Sequence, residues 1–168
     1  MANAMTRALR HLFAGSARRL YPVDSLHRIA AAIAEGETAH RGQVCFAVES
    51  SLPLGAVLSG LDAGRRAREV FSRLRVWDTE ANNGVLVYLL LADHHIEIVA
   101  DRGVAAAVDD AQWRDVCAQM ETRLRDGNPE AAALEGVSAV SALLARHFPR
   151  AAGDVVRNEL PDLPQILD

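Results

Sequence analysis

The pattern of apolar and polar positions divides the chain into elements. After Pro22, Leu26, Ile29, Ala30 and Ile33 recur at helical spacing, with Asp24 or Ser25 placed to cap the first turn. This predicts a helix running to about His40. Gly42 ends it and opens a strand over Gln43–Glu49, where Val44, Phe46 and Val48 alternate with Gln43, Cys45 and Ala47. The second set is not fully polar, so the strand should be covered on both faces. Residues 50–64 are rich in Gly, Ser and Pro and read as a loop with a short helix around 56–61. Residues 65–75 carry an apolar stripe of Ala67, Val70, Phe71 and Leu74 and predict a second helix.

Residues 85–91 form a near-continuous apolar run, the signature of a central buried strand. Asp93-His94 reads as a turn, and 96–100 as the next strand. That connection is too short for a crossover, so the two strands form an antiparallel hairpin. The earlier strand-helix-strand step is long enough for a parallel, right-handed crossover. A further helix starts at Asp109 or Asp110, with Trp113, Val116, Cys117, Met120 and Leu124 as its stripe. The last runs from about Pro129 to His147, with Val137, Val140, Leu143 and Leu144 inward. The order is helix, strand, helix, strand, strand, helix, helix, which predicts an α/β fold: a three-layer α/β/α sandwich around a small mixed sheet. Three segments follow: a basic N-terminal helix or arm over 1–22, an α/β domain over 23–149, and an extended or disordered acidic tail over 150–168.

Composition narrows the class. The 168 residues suit one domain, and half of them are apolar. Two cysteines, Cys45 and Cys117, exclude a disulfide-rich scaffold. No apolar run reaches the roughly 18 residues of a membrane-spanning helix. A net charge of −4 argues against a nucleic-acid binder. All 18 basic residues are arginine, and four of them (Arg7, Arg10, Arg18 and Arg19) fall in the first 22 residues, which contain no acid. The arm lacks the apolar stretch of a signal peptide. Leu9, Leu12 and Phe13 could lie on one side of a short basic helix and touch an anionic membrane, where each arginine contributes about 1 kcal/mol. Packing on its own domain is the alternative. The expected location is cytoplasmic, with peripheral contact at the inner membrane face.

The hairpin decides which loops meet. Its entrance, 76–84, and its exit, Asp101-Arg102-Gly103, must share one sheet end. Parallel pairing of Gln43–Glu49 with the hairpin would bring His40-Arg41-Gly42 there as well, with Glu37 one turn before. Glu37, His40, Arg41, Asn82, Asn83 and Arg102 are therefore candidates for an anion-binding rim, and Asp78, Glu80 and Asp101 for metal ligands. Capping and pairing of these same residues is the competing reading. The spacing Asp78-x-Glu80-x-Asn82 fails as a calcium loop, because Asn83 and Leu89 stand where glycine and glutamate are required.

Other motifs carry less. Cys117 and Arg123 have the spacing of a cysteine-phosphatase signature but sit in a predicted helix without a phosphate cradle. Cys45 reads as a core residue, and His94-His95 as a solvated turn. No P-loop, nucleophile elbow or zinc motif occurs.

The stretch Val76-Trp77-Asp78-Thr79-Glu80-Ala81-Asn82-Asn83-Gly84-Val85-Leu86, with Ile96-Glu97-Ile98-Val99-Ala100-Asp101-Arg102-Gly103 after it, resembles the TPM domain. Gly42-Gln43 before the first strand, Leu124-Arg125-Asp126-Gly127 and the closing Glu159-Leu160-Pro161-Asp162 fit its short bacterial subgroup, which lacks signal peptide and membrane anchor. The resemblance covers about residues 25–149. It implies an α/β/α sandwich. It links the chain to acid phosphatase activity in a plant member, to calcium or magnesium binding in some members, and to membrane-associated assembly in others. Many members carry Gly-x-Gly where Asp101-Arg102-Gly103 stands here, which departs from the phosphatase pattern and adds a carboxylate.

Two functions are expected from these readings. The first is a TPM-like binding or assembly module that takes calcium or magnesium, acts near the inner membrane face, and has an unknown protein partner but no nucleic acid. The alternative is a weak metal-assisted acid phosphatase. Asp78, Glu80 or Asp101 would hold the ion, and Arg41 or Arg102 would clamp the phosphoryl group. The missing nucleophile favours the module.

Overall fold

The computed structural model describes residues 4–168, so the first three residues of the expected arm lie outside the described residues. Strands β1 (Gln43–Glu49), β2 (Gly84–Leu90), β3 (His95–Ala100) and β4 (Gln165–Leu167) form one mixed sheet in the order β3-β2-β1-β4. β1 and β2 pair in parallel with Gln43 opposite Gly84, and β2 and β3 pair antiparallel with Val85 opposite Ala100. The inferred crossover and hairpin are both present.

Every residue of β1 and β2 is buried, because helices cover both faces. On one face Val44, Phe46, Val48, Val85, Val87 and Leu89 join a core with Ile29 and Ile33 of α3 (Val23–Gly36). Trp113 and Met120 of α7 (Asp110–Arg125) and Val140 and Leu144 of α8 (Pro129–His147) complete that core. On the other face Cys45, Ala47, Leu86, Tyr88 and Leu90 meet Val57 of α4 (Leu54–Leu58) and Ala67 and Val70 of α5 (Ala63–Arg73). This is the α/β/α sandwich expected from the sequence. β3 is an outer strand, and α7 shields it: Glu121 Oε1 accepts the Ile96 amide at 3.1 Å. Unpaired strand edges template unwanted pairing, and this contact occupies one edge donor.

Two features differ from expectation, and the tail is resolved between its two alternatives. α3 stops at Gly36 rather than His40, because the Glu37 carboxylate turns back to accept the Val44 amide at 2.8 Å. A short helix α6 (Arg102–Ala105) follows β3, capped by Asp101. Residues 150–168, expected to be extended or disordered, run without a helix to β4. Gln43 Oε1 accepts the Glu159 amide at 2.7 Å and the Leu160 amide at 3.3 Å, Leu160 is buried, and β4 pairs in parallel with β1. A three-residue strand leaves no periodicity to read, which is why the sequence hides it.

At the N-terminus, α1 (Ala4–Leu12) and α2 (Ala17–Leu20) form the arm. Ala17 and Tyr21 enter the core, and the Tyr21 hydroxyl donates to the Pro129 carbonyl at 2.9 Å. α1 packs on α4 and on the turn at Leu91–Asp93.

Candidate functional site

The strand register brings the expected rim to one end of the sheet. The Gln43 amide donates to the Asn83 carbonyl at 3.1 Å, and the Asp101 amide to the Gly84 carbonyl at 2.8 Å. Asn82 adopts a left-handed conformation (φ 51°). That turn lets its carbonyl accept the Gly103 amide at 3.0 Å, while its Oδ1 accepts Arg102 Nε at 3.2 Å. The Gly103 Cα lies so close to the Asn82 carbonyl that a Cβ there would collide with it. The buried Asn83 donates its amide nitrogen Nδ2 to the Arg41 carbonyl and its backbone N–H to Thr79 Oγ1 at 3.1 Å. Arg41, Arg102, Asn82 and Asn83 are thus brought together, held largely by backbone.

The other expected residues serve the fold. His40 is fully buried, that burial holds its imidazole below the ordinary value, and neither ring nitrogen has a hydrogen-bond partner. Glu37 is buried at the end of α3; desolvation pushes its carboxyl up to about 7, against the Val44 hydrogen bond, with Asp162 adding a like charge. Asp78 is exposed and pairs with Arg75 at 3.0 Å. Glu80 is exposed, and its backbone N–H donates to Glu159 Oε2 at 3.0 Å. Asp101 Oδ1 accepts the Arg102 amide at 2.8 Å, while its Oδ2 is buried without a partner.

Asp78 and Asp101 therefore have local partners of their own, whereas Glu80 is engaged only through its backbone. Among the described residues no group of three or more His, Cys, Asp or Glu side chains is arranged to hold a metal ion. Calcium takes about six to eight oxygen ligands, and these three carboxylates do not by themselves form such a cluster. A single orphan oxygen on Asp101 does not make up the difference. The C-terminal segment, which the sequence left as a tail, supplies part of the rim. Arg157 and Glu159 line a cleft of about 380 Å³ with Arg41, Glu80 and Asn83. The Glu159-Leu160-Pro161-Asp162 run was the signal available for it.

The opposite end of the sheet carries a second surface, built by the arm. Asp93, at the hairpin tip, accepts Arg7 Nη2 at 2.8 Å and Arg7 Nε at 3.1 Å. His11 is buried; its Nδ1 accepts the Leu52 amide at 2.9 Å and its Nε2 lies 3.2 Å from Asp93 Oδ1. Since Nδ1 is an acceptor, the neutral ring carries its proton on Nε2, facing the carboxylate. Burial lowers the His11 pKa, with Asp93 working against that; burial raises Asp93, but Arg7 and His11 more than offset this and hold its carboxyl below the ordinary value.

With Arg7, Ala8 and His11 turned inward, Met5, Leu9, Leu12 and Phe13 turn outward at i, i+4, i+7 and i+8. Met5 is 67% and Phe13 78% exposed, and Leu20 of α2 adds to the same surface. Arg10 and Arg19 are exposed beside them, while Arg18 pairs with Asp168 at 3.2 Å. Single exposed apolar residues are ordinary, but a row of this length flanked by arginines is not. Among the described residues no helix is long and apolar enough to cross a membrane.

The TPM domain family matches residues 23–143 of this chain. No curated protein matches it. Among solved structures it is similar to the BA42 protein from the psychrophilic bacterium Bizionia argentinensis, at 25% identity and a TM-score of 0.73, over 85% of this chain and 92% of that one. It is also similar in fold to the N-terminal domain of a protein from P. gingivalis, at 15% identity and a TM-score of 0.59, over 78% of this chain and 83% of that one.

Proposed function

The chain belongs to the TPM domain family, and from that premise we propose that it is a non-catalytic binding module that docks on an anionic membrane surface through its N-terminal arm. One observation carries this reading: Met5, Leu9, Leu12 and Phe13 face solvent in a row, with Arg10 and Arg19 exposed alongside. Short helices of this kind lie in the interface with the apolar side about 5–10 Å into the headgroup boundary. The arginines then meet lipid phosphates, each adding about 1 kcal/mol. The arm precedes the matched residues 23–143.

Charge distribution supports the same reading. The arm through residue 22 carries four arginines and no acid in a chain of net charge −4. Arg7 is taken up by Asp93 and Arg18 by Asp168, which leaves Arg10, 3.9 Å from Asp93, and Arg19 to face an anionic surface. The divalent-cation and phosphatase readings find no assembled donor set on the rim and form no part of this proposal.

Cosedimentation with vesicles tests it. Binding to phosphatidylglycerol vesicles that weakens with salt, and little binding to phosphatidylcholine vesicles, is the expected result. Equal partition to both, or to neither, would remove the membrane role.

A further inference from the structure

Beside the exposed row lies a groove of about 640 Å³, the size of a small-ligand site, which ranges over about 300–1,000 Å³. Leu9 of α1, Phe13, Leu20 of α2, Leu91 of the hairpin tip, Leu124 and Pro129 line it. Arg10, on α1, stands at its margin. Its guanidinium is half-exposed and lies 3.9 Å from Asp93, a carboxylate that Arg7 engages more closely at 2.8 Å.

We infer that this groove takes the acyl chain of an anionic lipid, with the lipid phosphate on Arg10. The inference rests on the membrane reading and deepens it, since it names the part of the membrane the arm holds. The geometry asks for an amphiphile. The lining is mostly aliphatic and aromatic, with Thr6 and His94 the polar side chains besides Arg10, so most of what it offers a chain is apolar surface. Arg10 at the margin suits an anionic head, and the exposed Phe13 continues the apolar wall out toward the bilayer. A charged head and an apolar tail would be satisfied at once only if both belong to one molecule. A second copy of this chain would instead bring its own net −4 and its own arm, with like charges opposed.

Decyl phosphate, kept below its micellar concentration, is the probe, and amide NMR the readout. Saturable shifts at Leu20, Leu91, Ala92 and Gly127 are expected, with none from inorganic phosphate at the same concentrations. Arg10→Ala should weaken decyl phosphate about threefold to tenfold and leave decanol unchanged. Leu124→Gln should weaken both. Should that variant not fold, Leu9→Ser, at an exposed position, makes the same test. No saturable shift, or the same shifts from inorganic phosphate, overturns the inference. So do shifts at these amides that follow protein concentration without amphiphile, which mark a second copy as the occupant. Vesicle binding with an unmoved groove overturns the groove and leaves the membrane reading standing. Groove binding without vesicle binding supports the groove and removes the membrane role.

Discussion

Arg7 and Asp93 are 86 positions apart in sequence, and the guanidinium grips the carboxylate with Nε at 3.1 Å and Nη2 at 2.8 Å. This pair, with His11 behind it, sets which side of α1 faces the body and which faces solvent. The exposed apolar row is therefore a consequence of how the arm is tied down.

Asp93→Ala removes that tie. It leaves Arg7 without its partner and His11 Nε2 without a nearby acceptor, at a cost of about 2 kcal/mol. Hydrogen exchange should speed up in α1 and at the Leu52 amide while β1 and β2 remain protected. Uniform exchange across the chain would contradict a locally docked arm.

Glu37 makes stability depend on pH. Its folded value of about 7 lies above the ordinary 4.5, because burial disfavours the charge. The neutral carboxyl's contribution is thus fully present below about pH 4.5 and lost as pH rises through about 7. Glu37→Gln keeps an acceptor for the Val44 amide and removes the charge. It should stabilise the protein at pH 8 by about 1–3 kcal/mol and change little at pH 4. Denaturant melts at the two pH values check this; an equal effect at both would be contrary to it.

Glu49 is buried at the end of β1 and accepts Arg66 Nη2 at 2.7 Å, Arg66 Nε at 2.9 Å and the Tyr88 hydroxyl at 2.5 Å. Arg66→Ala leaves a buried carboxylate short of its counter-charge and should cost about 3–5 kcal/mol. Tyr88→Phe removes one hydrogen bond of three and should cost about 1–2 kcal/mol. Urea unfolding of the two variants gives the order directly, and a Tyr88 loss as large as the Arg66 loss would contradict it.

Gly84 begins β2 against the Val76 backbone, and a Cβ there would collide with the Val76 carbonyl. Backbone cannot yield as a side-chain tip can. Gly84→Ala should cost about 1–3 kcal/mol or more. Gly55→Ala, where a Cβ meets nothing within 4 Å, is the control and should be near neutral. Thermal melts compare the two.

The sheet was legible because each central strand announces itself. The 85–91 run is apolar throughout, and the short Asp93-His94 turn forces the hairpin, which in turn fixes the rim. Residue identity could not show how the rim side chains would be used. Asp78 found Arg75 three residues away, and Asp101 the amide next to it, both local contacts that compete with any ligand. His40 read as a helix end on the rim because its partner in the bridge, Pro149, lies 109 positions downstream. Gln43 holds Glu159 across 116 positions, and no periodicity reports such a contact. The arm's apolar side was visible in Leu9, Leu12 and Phe13, but its outward orientation depends on Asp93.

The most direct measurement compares the wild-type chain with Leu9→Ser/Phe13→Ser on phosphatidylglycerol vesicles at fixed salt. Both positions are exposed, so the fold and its melting should be unchanged. The account predicts that the double variant loses most of the vesicle-bound fraction while its arginines remain. Undiminished binding by the double variant would contradict docking through the arm.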